Sequence, residues 1–176
     1  MKRFAGIVLL LTAGVLLAFA SGKADASVYI NEEYGFSFTY PEDFREVQTL
    51  FPDEVIRLAI QNDFKVPVIT ASVKPMTGDS VLSEIPGRVI EFMKAGMPET
   101  SGYRVIKEEK ITLKNGTPAV WIEFSWILGD GVTAMETASI IAFSGGNQIT
   151  MTGNTIRGLG FPVRELTEIC RTLRVQ

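Results

Sequence analysis

Residues Pro118–Phe143, PAVWIEFSWILGDGVTAMETASIIAF, decide the fold class of this chain. Val120, Ile122, Phe124, Trp126 and Leu128 fall on alternate positions, with Trp121 and Ile127 on the positions between them. After Gly129-Asp130-Gly131 the alternation resumes, with Ile140 and Ala142 on one side and Ile141 and Phe143 on the other. Period two is the signature of a strand, and a Gly-rich break between two such runs is a turn. The stretch reads as a long hairpin, apolar on both faces. A sheet of that kind must be covered on both sides. If Asp130-Gly131 closes the hairpin, Glu123 faces Ala138 and Ser125 faces Glu136. Glu123 and Glu136 then share the face of Trp121 as diagonal neighbours.

The same pattern extends outward. NQITMTG, after Gly145-Gly146, adds Ile149 and Met151 to the Trp121 face. Upstream, Tyr103–Leu113 reads as a strand turned by Asn115-Gly116. Glu54–Asp63 and Val66–Met76 read as two more, joined by Asn62–Lys65 as a hairpin loop. In Glu33–Phe44, EYGFSFTYPEDF, Tyr34, Phe36, Phe38 and Tyr40 fall on every second residue, and Pro41 ends the run. That ladder is expected to be core, the alternative being a partly exposed apolar ligand groove.

The period changes to 3.6 residues in two places. Val81, Leu82, Ile85, Val89 and Phe92 or Met93 form a helical stripe between a cap at Asp79 or Ser80 and a stop at Gly96 and Pro98. Pro86-Gly87 marks either a kink in that helix or its true start. A final helix is expected from about Val163 to Leu173. Strands in hairpin succession, bracketed by helices, argue an α+β domain with a central antiparallel sheet.

The N-terminus reads as a secretory leader. Lys2 and Arg3 precede an apolar run from Phe4 to Phe19, and the small-x-small sites Ala18-Phe19-Ala20 and Ala24-Asp25-Ala26 follow. Residues 1–26 are expected to be removed, a retained membrane anchor being the alternative. The remaining 150 residues, 27–176, are expected to form one domain, placed in the periplasm or outside the cell. Losing three cations and one anion with the leader takes the net charge from −3 to −5. Nucleic-acid affinity comes from clustered Lys and Arg, so no nucleic-acid partner is expected. Gly35–Tyr40 loosely matches an RNA-recognition octapeptide, but Tyr34 stands where that motif has a basic residue.

Absent residue types exclude much chemistry. The sequence has no histidine, which removes Ser-His-Asp and Cys-His nucleophiles and His-based zinc sites. It has one cysteine, Cys170, so neither an internal disulfide nor a thiolate cage can form. Cys170 shares a helical stripe with Leu166 and Leu173 and reads as a small buried residue, the sharper alternative being an intermolecular thiol. No phosphate loop, dinucleotide fingerprint or EF-hand spacing occurs. No metal and no cofactor is expected.

Together, Tyr34-Gly35-Phe36-Ser37-Phe38, Tyr40-Pro41 and Asp43-Phe44 resemble the opening segment of PsbP-like domains, with Phe44 where that pattern has Trp. The later elements come in a similar order too: an amphipathic helix, a strand ending at Lys114-Asn115-Gly116-Thr117-Pro118-Ala119, an aromatic hairpin, and a last helix leading to Leu173-Arg174-Val175. The resemblance implies an α-β-α sandwich over residues 27–176. It also implies a non-catalytic partner of a larger assembly, and no catalytic motif comes with it.

Two sets of residues are candidates for function. Arg157, Leu159, Arg164, Arg171 and Arg174 are expected to contribute a surface for a protein partner in the cell envelope. The alternatives are that the helix arginines form a solvated face and that the Asn154–Pro162 loop folds inward as a cap. Glu123, Glu136 and Trp121 form a candidate polar site, since paired carboxylates beside an aromatic suit glycoside hydrolysis. The competing expectation is that both glutamates reach solvent or meet cations. Three functions are expected, in order: an accessory domain that binds a protein, a small-molecule or lipid binder, and a hydrolase using Glu123 and Glu136.

Overall fold

The computed structural model describes residues 26–60, 66–76, 91, 94, 95 and 100–176. In chain order the strands are β1 (Ala26–Asn31), β2 (Phe36–Pro41), β3 (Phe44–Glu46), β4 (Glu54–Ile60) and β5 (Val68–Pro75). After them come β6 (Ser101–Thr112), β7 (Pro118–Ile127), β8 (Ala134–Ser144), β9 (Asn147–Ile156), helix α1 (Val163–Cys170) and β10 (Arg174–Val175). Every strand pair is antiparallel. Among the described residues these form two sheets, one of three strands in the order β1-β2-β10 and one of seven in the order β3-β4-β5-β9-β8-β7-β6.

The hairpin register is the one its turn dictates: Glu123 pairs with Ala138 and Ser125 with Glu136. At the tip, Asp130 accepts hydrogen bonds from the Thr133 hydroxyl, the Thr133 N–H (2.8 Å) and the Val132 N–H (2.9 Å). These donors, the hydroxyl first, hold the Asp130 carboxyl below its usual pKa. The next hairpin closes with Ser144 opposite Asn147. Gly145 and Gly146 both have positive φ, 55° and 76°, as a tight two-residue loop with right-handed twist requires.

The two faces of the large sheet divide as the alternation implies. Trp121, Ile140, Ala142, Ile149 and Met151 join one buried cluster, which also holds Leu166, Ile169, Cys170 and the ladder residues Phe36 and Phe38. Val120, Ile122, Phe124, Trp126, Met135 and Ile141 form a second cluster on the other face. There Tyr103 stacks on Trp126 at 6.4 Å between centroids, and the Trp126 N–H donates to Thr137 (2.9 Å). Phe36 and Phe38 are 2% and 1% exposed, so the aromatic ladder is core. Tyr29 from β1 lies 5.9 and 5.3 Å from their rings. Tyr34 falls outside the strand, in the β1–β2 turn, where its N–H donates to Asn31 (2.9 Å).

Helix α1 lies on β8 and β9. It stops at Cys170, short of the expected end at Leu173, because tertiary contacts draw the chain away. The Thr172 hydroxyl accepts from the Thr39 N–H (2.9 Å), and Arg174 then pairs with Ser37 to form β10. Within the helix expected over 79–98, Glu91, Lys94 and Ala95 are helical, with Lys94 Nζ 3.1 Å from Glu91 Oε1. The rest of that helix and the Asn62–Lys65 loop lie outside the described residues.

Candidate functional site

The β7–β8 register puts Glu123 and Glu136 on one face, and each meets a different donor. Glu123 accepts from the Thr167 hydroxyl of α1 at 2.6 Å. Glu136 accepts from Arg157 Nε, just past β9, at 2.8 Å. Trp121 is 7% exposed and lies beneath two cations, with Lys107 Nζ 3.7 Å and Arg171 Cζ 4.8 Å from the ring centroid. Lys107 also pairs with Glu109 at 3.1 Å. Among the described residues the buried Trp121 indole N–H has no hydrogen-bond partner, a deficit of about 1–3 kcal/mol. Glu123 and Trp121 are thus tied to α1 and the residue that follows it, while Glu136 is held apart from that packing by Arg157.

The expected partner residues are distributed over several places. Arg171 follows the last turn of α1 and turns to Trp121. Arg174 is exposed on β10, and Leu159 is 46% exposed in the β9–α1 loop. Arg157 faces Glu136, while Arg164 lies on α1 in a groove of its own.

That groove runs between the β2–β3 turn and α1, with a volume of about 620 Å³. Pro41, Phe161 and Ile169 supply apolar lining; Glu42, Asp43, Arg164, Glu165 and Glu168 supply charge. Phe161 is seated edge-on against Phe44 at 5.8 Å. No ion pair engages any of the five charged side chains among the described residues. Sequence reasoning picked out Arg164 and saw Glu165 and Glu168 beside it on the helix, but missed Glu42 and Asp43, because the two halves of the groove are far apart in the chain. The local signal for that half was Pro41-Glu42-Asp43 closing the aromatic ladder.

Cys170 is fully buried, and burial pushes its thiol up to about 12. Only the thiolate is nucleophilic. A disulfide reagent is expected to leave the native protein unlabelled and to label one thiol per chain once denaturant is added. Because the folded pKa is raised, the associated stability is present below the unfolded value and is lost as pH climbs towards about 12.

Among the described residues no group of three His, Cys, Asp or Glu side chains could hold a metal ion. No described helix is long and apolar enough to cross a membrane.

A three-stranded sheet carrying the aromatic ladder, set on a seven-stranded antiparallel sheet beside a C-terminal helix, defines a PsbP-like fold. The chain is similar to the solution structure of cyanobacterial PsbP (CyanoP) from Synechocystis sp. PCC 6803. The TM-score is 0.68 at 17% identity, over 89% of this chain and 96% of that one. It is also similar to LpqN, involved in cell envelope biogenesis of Mycobacterium tuberculosis, with a TM-score of 0.59 at 14% identity, over 86% and 91%. No family model and no curated protein sequence matches the chain.

Proposed function

We propose that this protein is an exported, non-catalytic accessory domain of the cell envelope that works by binding another protein. The observation that carries the reading is the groove between the β2–β3 turn and α1. An apolar floor of Pro41, Phe161 and Ile169 inside a charged rim has the anatomy of a protein interface, a dry centre ringed by polar groups. Arg164 is its cationic corner. The neighbours support the same reading, since one of them is named for a role in envelope biogenesis. A hydrolase would need Glu123 and Glu136 free to face a substrate, yet each is held by a donor from a different segment.

The proposal includes the leader, removed after Ala26, and an α-β-α sandwich completed by the helix over 79–98. Ile122 and Ile141, both fully buried on the sheet face away from α1, support that cover.

The test is crosslinking of the tagged protein in its native envelope, followed by affinity capture. One reproducible protein partner is expected. Its recovery should fall about tenfold in the double variant Arg164→Glu, Glu168→Lys, because both side chains are exposed and rim charges set recognition. Equal recovery with the reversed rim would remove the groove as the site. Recovery of the bare protein after efficient crosslinking would remove the accessory role.

A further inference from the structure

We propose that a second pocket, between the bulged edge of β6 and the start of the β9–α1 loop, binds an oxyanion, a carboxylate or phosphate, carried on an apolar body. The pocket has a volume of about 300 Å³ and is lined by Arg104, Val105, Ile106, Ser125 and Arg157. It shares no residue with the groove, so it stands independently of the function proposed above.

The backbone of β6 is irregular at this place. Its pairing with β7 shifts between Ser101 and Arg104 and again between Val105 and Lys107. Such bulges leave residues out of the ladder and re-aim side chains, and they recur beside binding sites. Among the described residues Ile106 is left without a ladder partner, and Val105 and Ile106 stay 43% and 53% exposed. On the rest of this edge strand, Lys107, Glu108, Glu109 and Lys110 protect the edge by charge, as edge strands generally require. The apolar pair breaks that protection beside two arginines.

Arg104 lies opposite Ser125, which lies opposite Glu136. Arg157 is fixed at two points. Its backbone N–H donates to the Ala134 carbonyl (2.8 Å), and its Nε donates to Glu136 (2.8 Å). Nε is thereby spent, and the two terminal nitrogens have no partner among the described residues. Arg104 has neither an ion pair nor a side-chain hydrogen bond there. Two guanidinium groups against one carboxylate leave one positive charge in excess. Planar guanidinium forks match the two oxygens of a carboxylate or phosphate, and the Ser125 hydroxyl adds a donor. Val105 and Ile106 offer a surface to the hydrocarbon beside the anion.

The experiment is an NMR titration of the ¹⁵N-labelled protein at low ionic strength with N-acetyl-leucine, its uncharged amide, and inorganic phosphate. Saturable shifts are expected at the Arg104, Ile106 and Ser125 amides and at Arg157 Nε–H, with the amide producing none. Arg104→Gln, an exposed change that should not disturb folding, is expected to weaken binding about tenfold or more. Arg104→Lys, which keeps the charge and loses the fork, should fall between. Tighter binding of N-acetyl-leucine than of phosphate assigns a carboxylate ligand, and the reverse order assigns a phosphate-bearing one. No saturable shift with either anion, or shifts that persist unchanged in Arg104→Gln, overturns the proposal.

Discussion

Gly153→Ala is expected to destabilise the protein by about 3 kcal/mol, at the upper end for overpacking a well-filled core. Gly153 lies in β9 directly beneath α1, and a Cβ there would meet Leu166 Cβ at 2.7 Å, with Cγ and Cδ2 each at 3.2 Å. Leu166 is fully buried, and its Cβ is fixed to the helix backbone, so no rotamer change relieves the clash. The helix must lift from the sheet, which loosens the cluster holding Ile169, Cys170 and Met151. For a domain of this size that cost lowers Tm by roughly 6–12 °C. Gly131→Ala is the matched control. A Cβ at Gly131 meets nothing within 4 Å among the described residues, and its φ of 73° opposes the change, a cost of about 1 kcal/mol. Calorimetry of the two variants should place Gly153→Ala clearly below Gly131→Ala. The opposite order would mean that α1 does not press on β9.

Phe38→Ala is expected to cost about 3–5 kcal/mol, the usual loss for a buried ring replaced by a methyl group. Phe38 is 1% exposed, with Tyr29 5.3 Å and Tyr40 5.9 Å away. Tyr34→Ala, in the turn before the strand, should cost well under half as much, although both residues belong to one sequence ladder. Urea unfolding of the pair distinguishes a core strand from a binding platform. Comparable small losses at both positions would favour the platform.

Much of this fold is legible in the sequence because its central hairpins are local. Alternation assigns each side chain of β7 and β8 to a face, and the Gly-Asp-Gly turn sets the register, so the Glu123–Ala138 and Ser125–Glu136 pairs follow from spacing alone. The three-stranded sheet is hidden for physical reasons. The apolar residues Val28 and Ile30 of β1 point to solvent, 58% and 64% exposed, while polar-tipped Tyr29 points inward. Reading apolar as buried inverts that strand. β10 has two residues and is placed by contacts distant in the chain, among them Thr172 with Thr39, the Gln176 N–H with the Gly35 carbonyl (2.8 Å) and Asn115 with the Val175 carbonyl.

The sites divide along the same line. Glu123, Glu136 and Trp121 belong to one hairpin, so their placement on a common face is readable from spacing. Their donors, Thr167 and Arg157, arrive from later segments and carry no local sign. The five expected partner residues share the C-terminal stretch of the chain but lie in different surroundings. Separations of one or a few residues decide which of them turns to the sheet, the groove or the pocket.

The most direct test of the proposed function is site-specific photo-crosslinking in the native envelope. A photoreactive residue would replace Arg164 or Glu168 in the groove, and Lys110 on the far edge strand as the control. The account predicts one protein adduct of the same mass from both groove positions and none from Lys110. Adducts of equal yield from all three positions, or none from the groove under conditions that crosslink a known envelope complex, would contradict it.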